Sequence, residues 1–121
     1  MRTKWIALVF LGFSLLLSIP GNSRNHDKKQ LADIAAINRA AADLDAAYNK
    51  HDAVAFSELF LDDADFQWHT GELLKNRKEI EQYFTDWFKE MPADYRHITK
   101  FERIRFLRPD LAIGDGTVII A

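Results

Sequence analysis

The first 23 residues of this chain of 121 differ sharply in composition from the rest. The residues that remain are enough for one small domain. Two basic residues precede an apolar run over residues 5–19, which Pro20 and Gly21 end. The run has 15 residues, fewer than the roughly 20 that a membrane-spanning helix needs. This layout is typical of a secretory signal peptide. We therefore expect residues 1–23 to be a signal peptide and residues 24–121 to be a secreted or periplasmic domain without a membrane contact after cleavage. An uncleaved N-terminal anchor is the alternative.

The composition of residues 24–121 excludes several classes of protein. Of the 16 basic residues of the chain, 14 lie in this segment together with all 18 acidic ones, which gives a net charge of −4. Nucleic-acid-binding domains usually have a basic face and a pI above about 9, so we predict no nucleic-acid partner. The chain has no cysteine, which excludes disulfides and thiol nucleophiles. Without His-x-His, His-Glu-x-x-His or Gly-x-Gly-x-x-Gly spacing, we predict no metal and no cofactor.

The spacing of apolar residues predicts helices followed by strands. An apolar stripe at three- and four-residue steps indicates a long first helix, and an aromatic stripe indicates a last helix. The predicted helices span residues 27–50, 53–61 and 77–91, with Asp27, Asp52 and Asn76 as their capping residues. Alternating residues and turn residues predict a short hairpin over residues 66–75 and a long one with strands 95–107 and 111–120. This order predicts an α+β fold with the helices on one face of an antiparallel sheet.

Four sequence blocks in this order resemble the SnoaL-like domains of the nuclear transport factor 2-like superfamily. The blocks cover residues 46–52, 59–66, 76–80 and 105–112, and together the resemblance extends over about residues 30–121. The last block is close to the R-F-L-R-P-D-V-A hairpin of the SgcJ/EcaC-like subgroup. The resemblance implies a curved antiparallel sheet that forms a cone around a long N-terminal helix, with two shorter helices and a pocket at the open end.

The same resemblance implies about two more strands after Ile120. We therefore expect the chain to be truncated at its C-terminus, with the last strands missing. The apolar strand over residues 117–121 would then have a bare edge, which promotes aggregation. A partner chain that supplies the missing pairing is the alternative.

Members of the superfamily include isomerases, dehydratases, polyketide cyclases and non-catalytic dimerisation modules, so the fold alone does not define a reaction. The carboxylate base of the ketosteroid isomerase branch falls at Trp68 and its tyrosine acid at Leu44. We conclude that a steroid-isomerase site is absent.

Two residues are candidates for acid–base catalysis. A histidine such as His69 can exchange a proton near neutral pH, although its place beside a turn favours a solvated side chain. Asp45 is a candidate base if an apolar cavity beside it raises its pKa, and a solvated helix face is the competing interpretation. For His97 the sequence favours a surface position.

Four aromatic residues are the candidates for ligand contact, with plain core packing as the alternative: Tyr48, Trp68, Tyr83 and Trp87. Our leading hypothesis is an exported SnoaL-like domain whose aromatic-lined pocket binds a small apolar molecule, without evident catalysis. One alternative is an isomerase, dehydratase or cyclase that uses His69 or Asp45. The other is a dimerisation module, a homodimer that buries the outer face of the sheet.

Overall fold

Residues 2–4, 8–9 and 23–121 are described by the computed structural model, and in them the chain forms three helices and two antiparallel sheets. The helices are α1 (Ser23–Asn49), α2 (Ala53–Ser57) and α3 (Arg77–Glu90). The strands are β1 (Arg2–Lys4), β2 (Leu8–Val9), β3 (Phe66–Gln67), β4 (Leu73–Leu74), β5 (His97–Arg108) and β6 (Leu111–Ile120). The predicted α+β class is confirmed.

Two of the three predicted helix caps are present. The side chain of Asp52 accepts a hydrogen bond from the backbone N–H of Ala55 at 3.0 Å. Asn76 Oδ1 accepts one from the N–H of Glu79 at 2.9 Å, and both capping residues have extended backbones. These bonds satisfy N–H groups that the helix itself leaves without a partner, and they set the start of α2 and α3.

The predicted start of α1 is wrong, because the helix begins at Ser23 and Asp27 lies inside it. No proline or glycine stands between Gly21 and Asp27 to stop the helix from extending toward the N-terminus. The second helix is shorter than predicted and ends at Ser57, whose Oγ donates to the carbonyl oxygen of Val54 at 2.9 Å. Hydroxyl groups that bond the preceding turn in this way compete with regular helix bonds.

The long hairpin places α1 against one face of β5. Its register runs from the pair His97 and Ile120 to the pair Arg108 and Leu111, with irregularities after Phe101 and after Phe106. The face of β5 that contains His97, Thr99 and Phe101 points toward α1, because Asp45 of α1 bonds both His97 and Thr99. The opposite face is exposed at its charged residues, which include Lys100, Arg103 and Arg105.

The second edge of β6 is paired in the full chain by residues of the predicted signal peptide, so the bare edge expected for residues 24–121 stays a prediction. β1 pairs with it from Arg2 opposite Ile119 to Lys4 opposite Thr117, and β2 pairs at Gly114 and Ile113. The expected truncation stays a prediction. Most of the predicted signal peptide, namely residues 1, 5–7 and 10–22, lies outside the described residues.

Aromatic residues from the three helices and the short hairpin form the core. Tyr48 of α1, Phe56 of α2 and Phe84 of α3 are at most 1% exposed. Their rings contact one another edge-on or tilted, with centroids 4.2–6.1 Å apart. Such pairs add to the stabilisation that comes from burying their area. The core fixes the three helices relative to one another and holds the C-terminal half of α1 in place.

Candidate functional site

One face of α1 holds the first residue of β5 by three contacts. Asp45 Oδ1 lies 2.7 Å from His97 Nδ1, and the rings of Tyr48 and His97 lie 4.3 Å apart between centroids. Asn49 binds the backbone of His97, accepting from its N–H at 2.7 Å and donating to its carbonyl at 3.1 Å. Residues three and four apart lie on the same side of a helix, which explains why these three side chains converge.

The carboxylate of Asp45 accepts three hydrogen bonds. Besides His97 Nδ1, its donors are the backbone N–H of Thr99 at 2.8 Å and the Thr99 hydroxyl at 2.7 Å. Burial opposes ionisation of Asp45, but the hydrogen bonds from His97 and Thr99 outweigh it, so the pKa of Asp45 lies below its ordinary value. Because Nδ1 donates its proton to Asp45, the Nε2 atom of a neutral His97 is the nitrogen that can accept one.

Two expectations for these residues are wrong. Neither a raised pKa nor a solvated helix face describes Asp45, since its pKa is lowered and its side chain is 18% exposed. His97 is not a surface residue, because it is 1% exposed. The exposed position of His69 after β3 agrees with a solvated side chain, and its ring lies against Trp68. The structure pairs Asp45 with His97 rather than with His69, whose catalytic role stays a prediction.

The four aromatic candidates meet, as a shared site requires, but they meet at the core. Trp87 Nε1 donates to the hydroxyl of Tyr48 at 3.0 Å, and Trp68 lies 5.8 Å from Trp87 and 6.5 Å from Tyr83 between ring centroids. Tyr48 and Trp68 are 0% and 5% exposed, whereas Tyr83 and Trp87 are half-buried. Burial raises the pKa of Tyr48, so its hydroxyl stays protonated. Ligand contact by these residues stays a prediction.

Open space lies instead between α1 and the long hairpin. Two neighbouring cavities of about 290 and 380 Å³ share Lys29, Asp33, Phe106 and Pro109 in their linings, and we call them together the α1–hairpin groove. The larger cavity is lined also by Ala36, Ile37, Phe101, Asp110, Leu111, Ala112 and Gly114. Its walls are therefore mostly apolar. None of the four aromatic candidates lines either cavity.

Small residues make this space. Ala36 stands on α1, and Ala112 and Gly114 stand on β6. A Cβ atom added at Gly114 would lie 2.6 Å from Cε1 of Phe101, so the phenylalanine ring occupies the volume that a side chain at position 114 would need. A glycine inside a strand often marks such a close approach, so Gly114 is the sequence signal that could have pointed to this space.

Two further properties concern the described part of the chain. Within it, no group of three or more histidine, aspartate and glutamate side chains is placed to hold a metal ion. Nor does any helix of the described residues have the length and apolar character that crossing a membrane requires.

The fold and the groove define an α+β domain in which α1 packs on one face of the antiparallel sheet that contains β5 and β6. The chain belongs to the SnoaL-like domain family, because the family model matches residues 29–120. A crystal structure of a domain of unknown function with a cystatin-like fold, from Nostoc punctiforme PCC 73102, is similar to it with a TM-score of 0.69 and 27% sequence identity. The match covers 74% of this chain and 56% of the Nostoc protein. Comparison with the curated proteins gives no match.

Proposed function

We propose that this domain binds a small, mostly apolar molecule in the α1–hairpin groove. The observation that carries the proposal is the larger cavity, whose volume of about 380 Å³ falls in the range of roughly 300–1,000 Å³ that is usual for ligand pockets. Phe101 and Phe106 supply apolar area from β5, and Ile37 supplies it from α1. We place the ligand there rather than at Tyr48 and Trp68, because the latter two side chains have almost no exposed surface.

The test is a fluorescence titration with N-phenyl-1-naphthylamine, an uncharged dye that brightens in apolar surroundings. The Ala36→Phe variant puts a ring into the groove and should weaken dye binding roughly tenfold, or by about 1.4 kcal/mol. Ala35→Phe is the matched control, since Ala35 is an exposed neighbour on α1 that does not line the groove. Equal affinity of both variants and the wild-type domain for the dye would reject the proposal.

A second candidate function is acid–base catalysis, and the buried pair of Asp45 and His97 favours it. The ionised carboxylate orients the ring through Nδ1 and would stabilise the imidazolium that forms when Nε2 takes a proton. Because His97 is 1% exposed and lines neither cavity, a substrate reaches Nε2 only when the domain opens around it. Such a pair suits an isomerase reaction, in which the proton taken from one carbon is returned to another. It also suits a dehydratase reaction, in which the proton is given to the leaving hydroxyl group and water departs. In this proposal His97 is the base, and Asp45 positions its ring instead of acting as the base itself.

Ultraviolet absorbance of a panel of β-hydroxy ketones and β,γ-unsaturated ketones would detect dehydration or isomerisation. Loss of turnover in Asp45→Asn and His97→Gln, with normal circular dichroism, supports the buried pair. The His69→Gln variant separates the two histidines, because loss of turnover in that variant alone assigns the proton transfer to the short hairpin. Turnover that none of the three variants changes would reject acid–base catalysis by these residues.

We also propose that the domain is exported and that residues 1–23 are removed, which the basic start and the 15-residue apolar run support. An N-terminus at Arg24, read by N-terminal sequencing of protein from its own host, is the expected result. An N-terminus at Met1 would contradict cleavage. The resemblance of residues 105–112 supports membership of the SgcJ/EcaC-like subgroup, and with it a sheet that curves as a cone around α1.

A further inference from the structure

Four charged side chains among the described residues line the α1–hairpin groove, and each pairs with another of the four. Lys29 Nζ lies 2.6 Å from Asp33 Oδ2, and Arg108 Nε lies 3.2 Å from Asp110 Oδ1. Lys29 Nζ also donates to the carbonyl oxygen of Pro109 at 3.3 Å, which links α1 to the turn of the long hairpin. The rim of the groove therefore has two positive and two negative charges, and they compensate each other.

A charged ligand gains little from such a rim. A charge that moves from water to an apolar surface loses hydration, and only a free counter-charge or a set of hydrogen bonds compensates for the loss. To pair with a basic side chain of this groove, a ligand anion would have to break the ion pair between Lys29 and Asp33 or the one between Arg108 and Asp110. An uncharged apolar molecule leaves both pairs intact and loses no ionic hydration.

We propose that the α1–hairpin groove selects uncharged molecules, and that the pair of Lys29 and Asp33 sets this selectivity. The inference rests on the proposed binding function, since it concerns the ligand of the same groove. Lys29 and Asp33 line both cavities, whereas Arg108 lines only the smaller one and Asp110 only the larger one. The pair of Lys29 and Asp33 therefore faces a ligand wherever it lies in the groove.

The Lys29 and Asp33 side chains are accessible enough to be changed without loss of the fold. They are 60% and 36% exposed and stand four residues apart on α1. Exposed pairs of this kind contribute little to stability, so single substitutions alter the charge of the rim more than they alter folding. Asp33→Asn leaves Lys29 without its carboxylate, and Lys29→Gln leaves Asp33 without its ammonium group.

The experiment compares two dyes with the same ring system. N-phenyl-1-naphthylamine is uncharged, and 8-anilino-1-naphthalenesulfonate adds one sulfonate; the affinity of the sulfonate dye is measured by displacement of the uncharged dye, so that both report on one site. We expect the wild-type domain to prefer the uncharged dye roughly tenfold at low ionic strength. Asp33→Asn should strengthen sulfonate binding about two- to fivefold, and Lys29→Gln should weaken it by a similar factor. Because both residues line the groove, each variant is also titrated with the uncharged dye, and the ratio of the two dye affinities is the readout.

Asp43→Asn is the matched control, because Asp43 is exposed on the same helix and lines neither cavity. It changes the net charge by the same amount as Asp33→Asn, and it should leave both affinities unchanged. Equal affinity of the wild-type domain for both dyes, or equal effects of Asp33→Asn and Asp43→Asn, would overturn the inference while the binding function stands. Failure of the uncharged dye to bind at all would instead overturn the binding function.

Discussion

At the scale of single residues, the carboxylate of Asp45 has three hydrogen-bond donors around it in a site that is largely closed to water. An amide at this position offers one acceptor oxygen and brings two N–H donors of its own, so part of the network loses its partner. We expect Asp45→Asn to lower the free energy of unfolding by about 1–3 kcal/mol, measured by urea denaturation at neutral pH. Asp43→Asn, on the exposed side of the same helix, should change it by less than about 0.5 kcal/mol.

The effect of Asp45→Asn on the free energy of unfolding depends on pH. The pKa of Asp45 is lower in the folded protein than its ordinary value of 3.8, so its ionised form stabilises the fold at every pH above that value. This contribution disappears as the pH falls through the folded-state pKa. The difference in unfolding free energy between the wild-type domain and Asp45→Asn should therefore decrease as the pH falls below 3.8. A difference that grows below pH 3.8 would contradict the assignment.

Two glycines of β6 differ in what a methyl group would meet. At Gly116 a Cβ atom would overlap the backbone carbonyl of Lys100, which cannot move without breaking the pairing of β5 and β6. At Gly114 it would meet the ring of Phe101, which can turn into the groove. We expect Gly116→Ala to cost about 3 kcal/mol or more and Gly114→Ala to cost less. Thermal denaturation measures the stability of both variants, and a Gly116→Ala variant more stable than Gly114→Ala would contradict this expectation.

A second change at Phe101 separates the two glycines further. Phe101→Leu should restore part of the stability of Gly114→Ala, because the smaller side chain leaves room for the added methyl group. It should not restore Gly116→Ala, where the obstacle is backbone. Equal rescue of both variants would show that the ring, and not the carbonyl of Lys100, limits both positions.

The sequence pattern identified Asp45 as a candidate site residue, but it did not identify His97 as one. The helical stripe locates Asp45 on α1 and the strand pattern locates His97 at the start of β5. Their contact joins residues 52 positions apart, and it depends on how β5 packs on α1. Periodicity within one element holds no information on that packing. A surface position was expected for His97 only because most histidines lie at the surface of proteins. The three side chains of α1 that surround His97 explain why this expectation failed.

At the scale of elements, the starts of α2 and α3 were predictable, because a capping side chain binds the first turn of each. The start of α1 was not. Asp52 and Asn76 bond N–H groups of the first turn, and the helices start where those residues predict. The bounds of β6 agree with the predicted residues 111–120, because the turn residues Pro109 and Asp110 define where the strand can begin. For α1 the pattern at Asp27 was a local signal that the longer helix overrides.

Substitution of the capping residues tests these assignments. Asn76→Ala removes the acceptor of the Glu79 N–H and should cost about 1 kcal/mol in the free energy of unfolding, and Asp52→Ala should cost a similar amount. Asp27→Ala should cost almost nothing, because Asp27 is an exposed residue inside α1. Urea denaturation of the three variants measures the differences. A cost at Asp27 equal to that at Asn76 would mean that α1 starts at Asp27 in solution.

At the scale of the whole molecule, the resemblance of four short blocks predicted the family, and the match over residues 29–120 confirms it. The place of the groove was not predictable in the same way. Its lining comes from α1, both strands of the long hairpin and the turn between them, so it exists only once these elements have packed. Aromatic residues indicate a pocket or a core equally well. Here Tyr48 is in the core because three helices meet at it, and Trp68 is in the core because α3 packs on it.

The pairing of β6 leads to the last prediction, since β1 and β2 occupy the edge of β6 that β5 leaves open. Deleting residues 1–22 removes the backbone partners of residues 117–119, Gly114 and Ile113. The amides of β6 that point toward β1 and β2 should then exchange hydrogen faster, whereas those that bond to β5 should keep their protection. Nuclear magnetic resonance of the full chain and the deletion variant, exchanged side by side, measures both sets at once.

Three results of that exchange experiment have different meanings. Faster exchange confined to the outer amides of β6 supports the pairing, and it predicts that an exported domain, which loses the same segment, needs another strand on this edge to avoid aggregation. Unchanged exchange on β6 contradicts the pairing. Faster exchange on both β5 and β6 contradicts a purely local pairing, because residues 1–22 would then stabilise the whole hairpin and its packing on α1.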